Sequence, residues 1–368
     1  MGLQEEIDKM RQEIRTDDYQ MSINEWISLY ENEEIDIHPE FQRFFRWTNS
    51  QKTRLIESIL LGIPIPPIFV SQREDGVWDV VDGLQRLSTI YEFVGKLKDE
   101  DKNLLEPLVL DETDYLKNLK GKKWEDTDDS INSLTPAQRL LIKRAKIGAN
   151  ILLRESDEIA KYELFQRLNT GGSIATAQEV RNCILVMYNR DMFNWLKKLS
   201  ENEMFQECIA LSEKQNDEQY DIELLLRFLI FRTLEENEMK KIGNDLSGFL
   251  TKKMLEIAKN QDFNYGEEET AFNTTFEILY EQLGNESFRR YSPTKDKFLG
   301  GFLVSAYEVI ALGIGCNYKN LSLSNINIKD RVKQVWINPE YTNSSGSGTS
   351  GKQRIPRLVP LGRTIFQP

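Results

Sequence analysis

The sequence predicts an α+β protein in which an α/β N-terminal half precedes an all-helical C-terminal half. Two short β-rich runs around Asp75-Gly76 are typical of a β-hairpin, and apolar residues at helical spacing lie on both sides of it. From Thr176 onward the apolar spacing is helical almost throughout. At about 150 residues per domain, 368 residues are enough for two domains.

Caps, breakers and periodicity predict the elements of the N-terminal half. A charged, exposed N-terminal helix is predicted over residues 1–20, and the domain that follows is predicted over residues 21–190. The elements of that domain are, in order, a helix from Ser22 to Glu31, an extended run 35–38, a helix 51–61 capped at Thr48 and stopped by Gly62 and Pro64, hairpin strands 67–72 and 77–81, and a helix 85–94.

The second part of this domain alternates in the same way. Residues 98–135 are rich in charge and are predicted as a surface excursion. A helix 136–145, a strand 147–153 and a helix 156–168 follow, and Gly171-Gly172 ends the last of them. Thr176 and Glu179 form a capping box that opens the next helix.

The C-terminal half is predicted as a helical domain over residues 191–340 and a Gly/Ser-rich link with an extended tail over 341–368. Its predicted helices are 193–199, 222–234, 246–258, 268–283 and 298–312. The tail matches GxGxxG and nearly matches a P-loop, but both motifs need a preceding strand and a following helix. Pro356 follows almost at once, which favours a flexible link, although residues 354–366 could return to pack on the body.

The composition excludes several classes of enzyme. His38 is the one histidine of the chain, so sites that need two histidines are excluded, among them His-His zinc sites and HEXXH metalloproteases. Cys183, Cys208 and Cys316 form no CxxC pair and are predicted as buried or idle thiols in a reducing compartment.

The net charge and the hydropathy limit the classes of partner that this chain could bind. Lys+Arg 47 against Asp+Glu 59 gives a net charge of -12, so the bulk charge does not favour non-specific coating of DNA, although a local basic site stays open. The N-terminus has no apolar signal stretch, and the longest apolar run, 302–316, contains Glu308 and is too short to span a bilayer. We therefore expect a cytoplasmic protein that does not bind membranes.

The most informative motif is Asp82-Gly83-Leu84-Gln85-Arg86, at a predicted strand end and helix start. A helix N-terminus presents unpaired N–H groups and a partial positive charge, which suit a phosphate. Gly83 would let the backbone approach closely, and Arg86 offers a planar guanidinium for bidentate contact. The alternative is that Asp82 and Gln85 form only a capping box.

A second basic segment lies upstream. Gln42, Arg43 and Arg46 alternate with Phe41, Phe44, Phe45 and Trp47, and arginine with aromatic rings is a plausible nucleotide pocket. These aromatic residues are equally explained as core. In the same way, the run 165–172 (Phe-Gln-Arg-Leu-Asn-Thr-Gly-Gly) is explained as a helix with a glycine C-cap.

Four motifs occur in a fixed order: 41–47 (FQRFFRW), 55–66 (LIESILLGIPIP), 80–90 (VVDGLQRLSTI) and 165–172 (FQRLNTGG). Together they resemble the N-terminal domain of GmrSD-type modification-dependent restriction enzymes, over residues 20–190. More weakly, the segment 345–366 resembles the C-terminal end of stand-alone family members.

The resemblance implies a ParB/sulfiredoxin-like fold and the binding and hydrolysis of a nucleoside triphosphate. The family motif is Asp-Gly-Gln-Gln-Arg, and here Leu84 replaces the first glutamine, which puts the hydrolysis rate and the choice of base in doubt. The resemblance places further residues at the pocket, namely Gln42, Arg43, Arg167, Asn169 and Gly171, with Glu179 and Arg181 as weaker candidates.

We therefore predict a nucleotide-binding sensor or regulator of an antiviral restriction system. The catalytic candidates are Asp82, Gln85 and Arg86: Asp82 would hold Mg²⁺ directly or through water, Gln85 would orient the attacking water, and Arg86 would hold phosphates with Gln42 and Arg43. Expected partners are the nucleotide, DNA, a separate nuclease or defence protein, and a second copy of the chain.

Two other classes stay open, a DNA-binding or DNA-nicking module that uses the same arginines and a pure interaction protein. An HNH nuclease is not expected, because such a site needs histidines and His38 is the one available.

Overall fold

The computed structural model describes residues 2–4, 16–37, 47–99, 101–153, 176–321, 326–346 and 348–368. The chain divides into two compact units, Met1–Ala175 and Thr176–Pro368. The predicted α+β class is confirmed, because the first unit is mixed and the second is mainly helical. Within these described ranges, no helix is long and apolar enough to cross a membrane.

A five-stranded sheet forms the centre of the first unit, in the order β1-β5-β3-β4-β2. Its strands are β1 (Thr16–Ser22), β2 (Ile35–Asp36), β3 (Ile68–Gln72), β4 (Trp78–Asp82) and β5 (Lys146–Leu152). The predicted hairpin is the antiparallel pair β3-β4, while β2 runs parallel to β4 and β5 runs parallel to β3. The carboxyl ends of β2 and β4 consequently lie at the same edge of the sheet.

Helices pack on this sheet through their apolar faces. Those described in the first unit are α1 (Ile23–Glu31), α2 (Asn49–Leu60), α3 (Leu84–Phe93) and α4 (Pro136–Arg144). Ser22, Thr48 and Thr135 begin α1, α2 and α4 with capping boxes, which confirms their predicted starts. In the core the indole N–H of Trp26 donates to the carbonyl of Ile147 (3.3 Å), so this buried donor is satisfied.

Residues 16–20 are a strand, so the prediction of a helix over residues 1–20 was wrong there. β1 pairs antiparallel with β5 over its whole length, from Thr16 opposite Leu152 to Ser22 opposite Lys146. Its exposed, polar residues are typical of an edge strand. They carry no alternation that would indicate a strand locally, and the pairing partner is far away in the sequence. Residues 5–15 lie outside the described residues.

The second unit confirms four of the five predicted helices, with ends that shift by up to three residues, and the fifth lies further toward the C-terminus than predicted. Its helices are α5 (Ala177–Tyr188), α6 (Arg190–Ser200), α7 (Glu203–Ile209), α8 (Glu213–Asp217), α9 (Tyr220–Phe231), α10 (Glu236–Met239), α11 (Leu246–Lys259), α12 (Tyr265–Gln282), α13 (Val304–Leu321), α14 (Ile328–Val335), α15 (Pro339–Ser344) and α16 (Gly351–Ile365).

One predicted helix began too early. Phe298 and Leu299 belong to strand β7 (Lys297–Leu299), which pairs antiparallel with β6 (Arg290–Ser292). The helix itself begins at Val304. The helical unit therefore also contains a two-stranded hairpin.

The C-terminal tail is helical, and its prediction as an extended segment was wrong. α16 continues through Pro356 and Pro360, residues that favour a break when they are read locally. The helix is held by its neighbour, because a Cβ added to Gly362 would overlap the carbonyl oxygen of Val309 in α13. Such a close approach requires glycine. The expectation that residues 354–366 return to pack on the body is thus confirmed.

The phosphate-like motif at 346–353 is followed by a helix, contrary to the prediction from Pro356. The segment before it is helix α15, whereas both phosphate motifs require a strand. The tail therefore still lacks the context of a phosphate loop.

Candidate functional site

The motif 82–86 lies at the edge of the sheet where β4 ends and α3 begins. Asp82 is the last residue of β4, Gly83 is the N-cap of α3, and Leu84 is the first helical residue. Within the part of the chain that the structure describes, no side chain caps this helix. An uncapped helix start presents open N–H groups and a partial positive charge, so this position favours a bound anion.

Gly83 is required by its backbone and by its neighbours. Its φ of 101° lies in the region that L side chains rarely adopt. A Cβ at this position would also overlap Cδ1 of Ile68, a fully buried residue of the core, and would lie 3.3 Å from the guanidinium carbon of Arg86. The glycine therefore keeps the start of α3 close to β3.

The guanidinium of Arg86 forms hydrogen bonds with two other parts of the chain. Its Nη1 donates to the carbonyl oxygens of Pro66 and Pro67, the latter at 2.8 Å, and its Nη2 donates to Oδ2 of Asp82 at 2.6 Å. The side chain of Arg86 is 12% exposed and that of Asp82 is 33% exposed. The guanidinium thus joins α3 to the segment that enters β3, and the carboxylate stays accessible.

Gln85 does not take part in a capping box. Its Oε1 accepts a hydrogen bond from the backbone N–H of Trp47 at 3.0 Å. The alternative interpretation of Asp82 and Gln85 as a capping pair was therefore wrong, since Asp82 pairs with Arg86 and the N-cap is Gly83. Trp47 itself packs against the hydrophobic core, as the core interpretation of that residue expected.

The topology brings both described flanks of residues 38–46 to this edge. β2 runs parallel to β4, with Asp36 opposite Asp79, so Ile37 leaves the sheet in the direction of Asp82. At the other flank, the backbone N–H of Trp47 donates a hydrogen bond to Gln85. The segment between them contains the predicted residues Gln42, Arg43 and Arg46, which lie outside the described residues.

Comparison with known proteins finds one matching family. Residues 23–186 match the family model of the GmrSD restriction endonuclease N-terminal domain. This segment is therefore similar to the N-terminal domain of a restriction enzyme. The resemblance predicted from the four motifs is thereby confirmed over this range. No curated protein and no solved structure matches the chain.

Three predicted residues of the GmrSD-type segment, Arg167, Asn169 and Gly171, lie outside the described residues. The strand before them, β5, runs parallel to β3, with Leu152 opposite Ser71. Asp82 is opposite Phe69, so β5 ends at the other end of the sheet from the motif. Their place at the pocket stays a prediction from the resemblance.

The two weaker candidates have structural partners in the second unit. Thr176 and Glu179 form the predicted capping box of α5, and burial raises the pKa of Glu179 above its ordinary value. Arg181 is fully buried, and its guanidinium donates to Glu223 at 2.5 Å and to the hydroxyl of Ser247 at 2.9 Å. These contacts account for both residues without a ligand.

The described residues offer a metal ion few protein ligands at this edge. No group of three or more His, Cys, Asp or Glu side chains that could hold a metal ion occurs in the part of the chain that the structure describes. Asp82 offers one accessible carboxylate. Because Mg²⁺ usually binds through one or two carboxylates together with substrate phosphates and waters, Asp82 fits this ion when a phosphate ligand is present.

Two hydroxyls next to the motif were not predicted. Ser88 and Thr89 are buried in α3, and their hydroxyl oxygen atoms have no hydrogen-bond partner among the described residues. They lie between Gln85 and Glu92 in α3. Glu92 forms an ion pair with Lys52 of α2, with 2.5 Å between Oε2 and Nζ. The sequence does carry a signal for these two hydroxyls. Ser88 and Thr89 are consecutive hydroxyl residues in a helix whose buried face is expected to be apolar.

Proposed function

We propose that the first unit binds a nucleoside triphosphate where α3 begins, and that it hydrolyses this ligand as a sensor or regulator within a restriction system. The observation that carries the proposal is the uncapped start of α3 at Gly83. The side chains of Asp82, Gln85 and Arg86 surround it, and both flanks of the basic segment 38–46 lie close by. The phosphates would bind to the open amides of the first turn.

Each motif residue has a role that fits its contacts. The Oε1 atom of Gln85 is committed to Trp47, which leaves the two N–H groups of its amide to donate to a phosphate oxygen or to the attacking water. Arg86 holds the entry of β3 beside the helix start, so that the amides are positioned before the ligand arrives. Gln42 and Arg43 would add contacts to the phosphates from the adjacent segment.

Asp82 is the residue that would hold Mg²⁺ in this proposal. The ion would neutralise the charge that develops on the phosphates. The carboxylate of Asp82 accepts a hydrogen bond from Arg86 and is 33% exposed, so a cation can reach it. In this role Asp82 would bind Mg²⁺ in place of the guanidinium of Arg86. Arg86 would keep its hydrogen bonds to the carbonyl oxygens of Pro66 and Pro67.

Nuclease chemistry is assigned to a partner in this proposal. His38 is the one histidine of the chain, and HNH sites use histidine for metal binding and water activation. The nucleotide state of the first unit would then control a separate nuclease or defence protein of the same system.

A thermal-shift screen tests the proposal directly. We expect one or more of ATP, GTP, CTP and UTP to raise the melting temperature of the chain, and Mg²⁺ to increase the shift, because a ligand that binds only the folded state stabilises it. The absence of a shift with every triphosphate, with and without Mg²⁺, would refute nucleotide binding.

Gln85→Ala tests hydrolysis. We expect phosphate release to fall by about 10²-fold or more, the size of effect seen when one polar group that acts on the transition state is removed. The matched control is Gln72→Ala, which removes the same group from the other end of the sheet. Equal turnover in both variants and the unmodified chain would exclude Gln85 from the reaction.

A further inference from the structure

The hairpin of the second unit is a short, well-defined ribbon. Strands β6 and β7 pair with Arg290 opposite Leu299 and Ser292 opposite Lys297. The backbone N–H of Lys295 donates to the carbonyl of Ser292 at 3.2 Å, with Pro293 at the second position of the turn, where proline is favoured. Residues 293–297 are all exposed. The ribbon therefore presents a fixed turn to solvent.

This ribbon carries unpaired positive charge. Among the described residues, none forms an ion pair with the four cations of the segment 289–297, which are Arg289, Arg290, Lys295 and Lys297. The lysines of α14 behave differently, since Lys329 pairs with Glu286 at 3.5 Å and Lys333 pairs with Asp296 at 2.8 Å. We call residues 289–299 the basic hairpin.

The two faces of the basic hairpin differ. Tyr291 and Phe298 are opposite each other on one face, and Lys333 and Lys329 lie over their rings at 5.1 and 5.9 Å. Cross-strand partners share a face, so Arg290 and Lys297 lie together on the other face, as diagonal neighbours about 7–8 Å apart. Both are exposed. One face is thus anchored to the unit and the other is cationic.

We propose that the cationic face of the basic hairpin binds the phosphate backbone of duplex DNA. The net charge of the chain is -12, so a polyanion has no general attraction to this protein and would bind where positive charge is local and unpaired. A two-stranded ribbon fits the major groove of B-form DNA, whereas the major groove of duplex RNA is too narrow for it. This site is separate from the proposed nucleotide site and does not depend on it.

An anionic membrane is less suited to the same surface. Proteins that bind at a membrane interface insert large apolar side chains beside their basic residues. The turn of the basic hairpin carries Pro293 and Thr294 between its cations instead. The observations therefore favour a hydrated phosphate backbone in a groove over a lipid surface.

Fluorescence anisotropy of the full chain with a labelled 20-base-pair DNA duplex of mixed sequence (probe length about two helical turns) tests the proposal. We expect binding at low salt that weakens between about 50 and 200 mM KCl, with a log–log slope of about 3–4 for four phosphate contacts. The double variant Arg290→Gln/Lys297→Gln should weaken binding and lower the slope by about 2.

The control removes the same charge elsewhere in the second unit. Lys240→Gln/Lys252→Gln replaces two exposed lysines and should leave the slope unchanged. An equal loss in both double variants, or no binding by the unmodified chain at 50 mM KCl (about the low end of the range used for such slopes), would overturn the proposal. It would also be overturned if vesicles with phosphatidylserine, or poly-glutamate, bound the chain through Arg290 and Lys297 more tightly than the duplex does.

Discussion

Glu308→Gln is expected to destabilise the second unit by about 3–5 kcal/mol, the cost of removing one partner from a buried ion pair. The carboxylate of Glu308 is fully buried and accepts hydrogen bonds from Arg227 at 3.0 Å and from Arg354 at 2.6 and 3.0 Å. A glutamine at this position would leave the guanidinium of Arg354 without a counter-charge among the described residues and would remove one of the two that Arg227 has. Arg227 would keep its ion pair with Glu223. Burial tends to raise the pKa of Glu223, but the positive charges of Arg227 and Arg181 lower this pKa overall.

Hydrogen exchange of residues 304–321 measures this effect within the second unit, because it reports local opening free energy. Glu238→Gln is the matched control, since Glu238 pairs with Lys241 and Lys253 near the surface. Exposed pairs of this kind contribute about 0–1 kcal/mol. Equal protection in the two variants would show that the buried pairs contribute no more than surface pairs do.

Gly83→Ala is expected to destabilise the first unit by about 2–5 kcal/mol. A left-handed backbone costs an L residue about 1–2 kcal/mol, and overpacking of a core adds about 1–3 kcal/mol. Both terms apply, because φ is 101° and the new Cβ would overlap the buried Ile68. Urea unfolding of the variant measures the sum.

Gly76→Ala separates the two terms. Gly76 has a φ of 87° and no atom within 4 Å of an added Cβ, so its replacement should show only the cost of the backbone. The double variant Gly83→Ala/Ile68→Val removes the Cδ1 atom that the new Cβ meets, and it should recover part of the loss. If Gly83→Ala costs no more than Gly76→Ala, the start of α3 is not held against Ile68.

Local signals predicted most elements of the first unit. Ser22, Thr48 and Thr135 carry capping boxes that the neighbouring residues complete, and Asp75-Gly76 has the turn chemistry that its hairpin needs. β1 and α16 were missed because their conformations depend on distant partners. β1 is defined by β5, and α16 continues through its prolines because α13 holds it.

The identity of the motif residues was predictable, but their contacts were not. Gln85 and Arg86 bind Trp47 and Pro67, which are far from them in the sequence. A local interpretation therefore offered a capping box for Gln85 and a phosphate contact for Arg86. The structure makes Arg86 a partly buried connection between α3 and the segment that enters β3, so its replacement is expected to affect stability as well as binding.

Two arginines at opposite ends of β4 give a matched pair for the central claim. Arg86 pairs with Asp82 at the motif, and Arg73 donates to Asp79 at 2.8 Å and to Asp36 at 2.7 Å at the other end of the strand. Both side chains hold a carboxylate of the same strand, so Arg86→Gln and Arg73→Gln remove similar interactions. They differ in their distance from the start of α3.

The decisive measurement is a calorimetric titration of the folded chain with the triphosphate that gives the largest thermal shift, in the presence of Mg²⁺. The proposal predicts that Arg73→Gln binds it with the affinity of the unmodified chain. Arg86→Gln, with its fold verified by circular dichroism, should bind it at least about tenfold more weakly, which corresponds to about 1.4 kcal/mol. Equal affinity in a folded Arg86→Gln variant would contradict a nucleotide site at the start of α3.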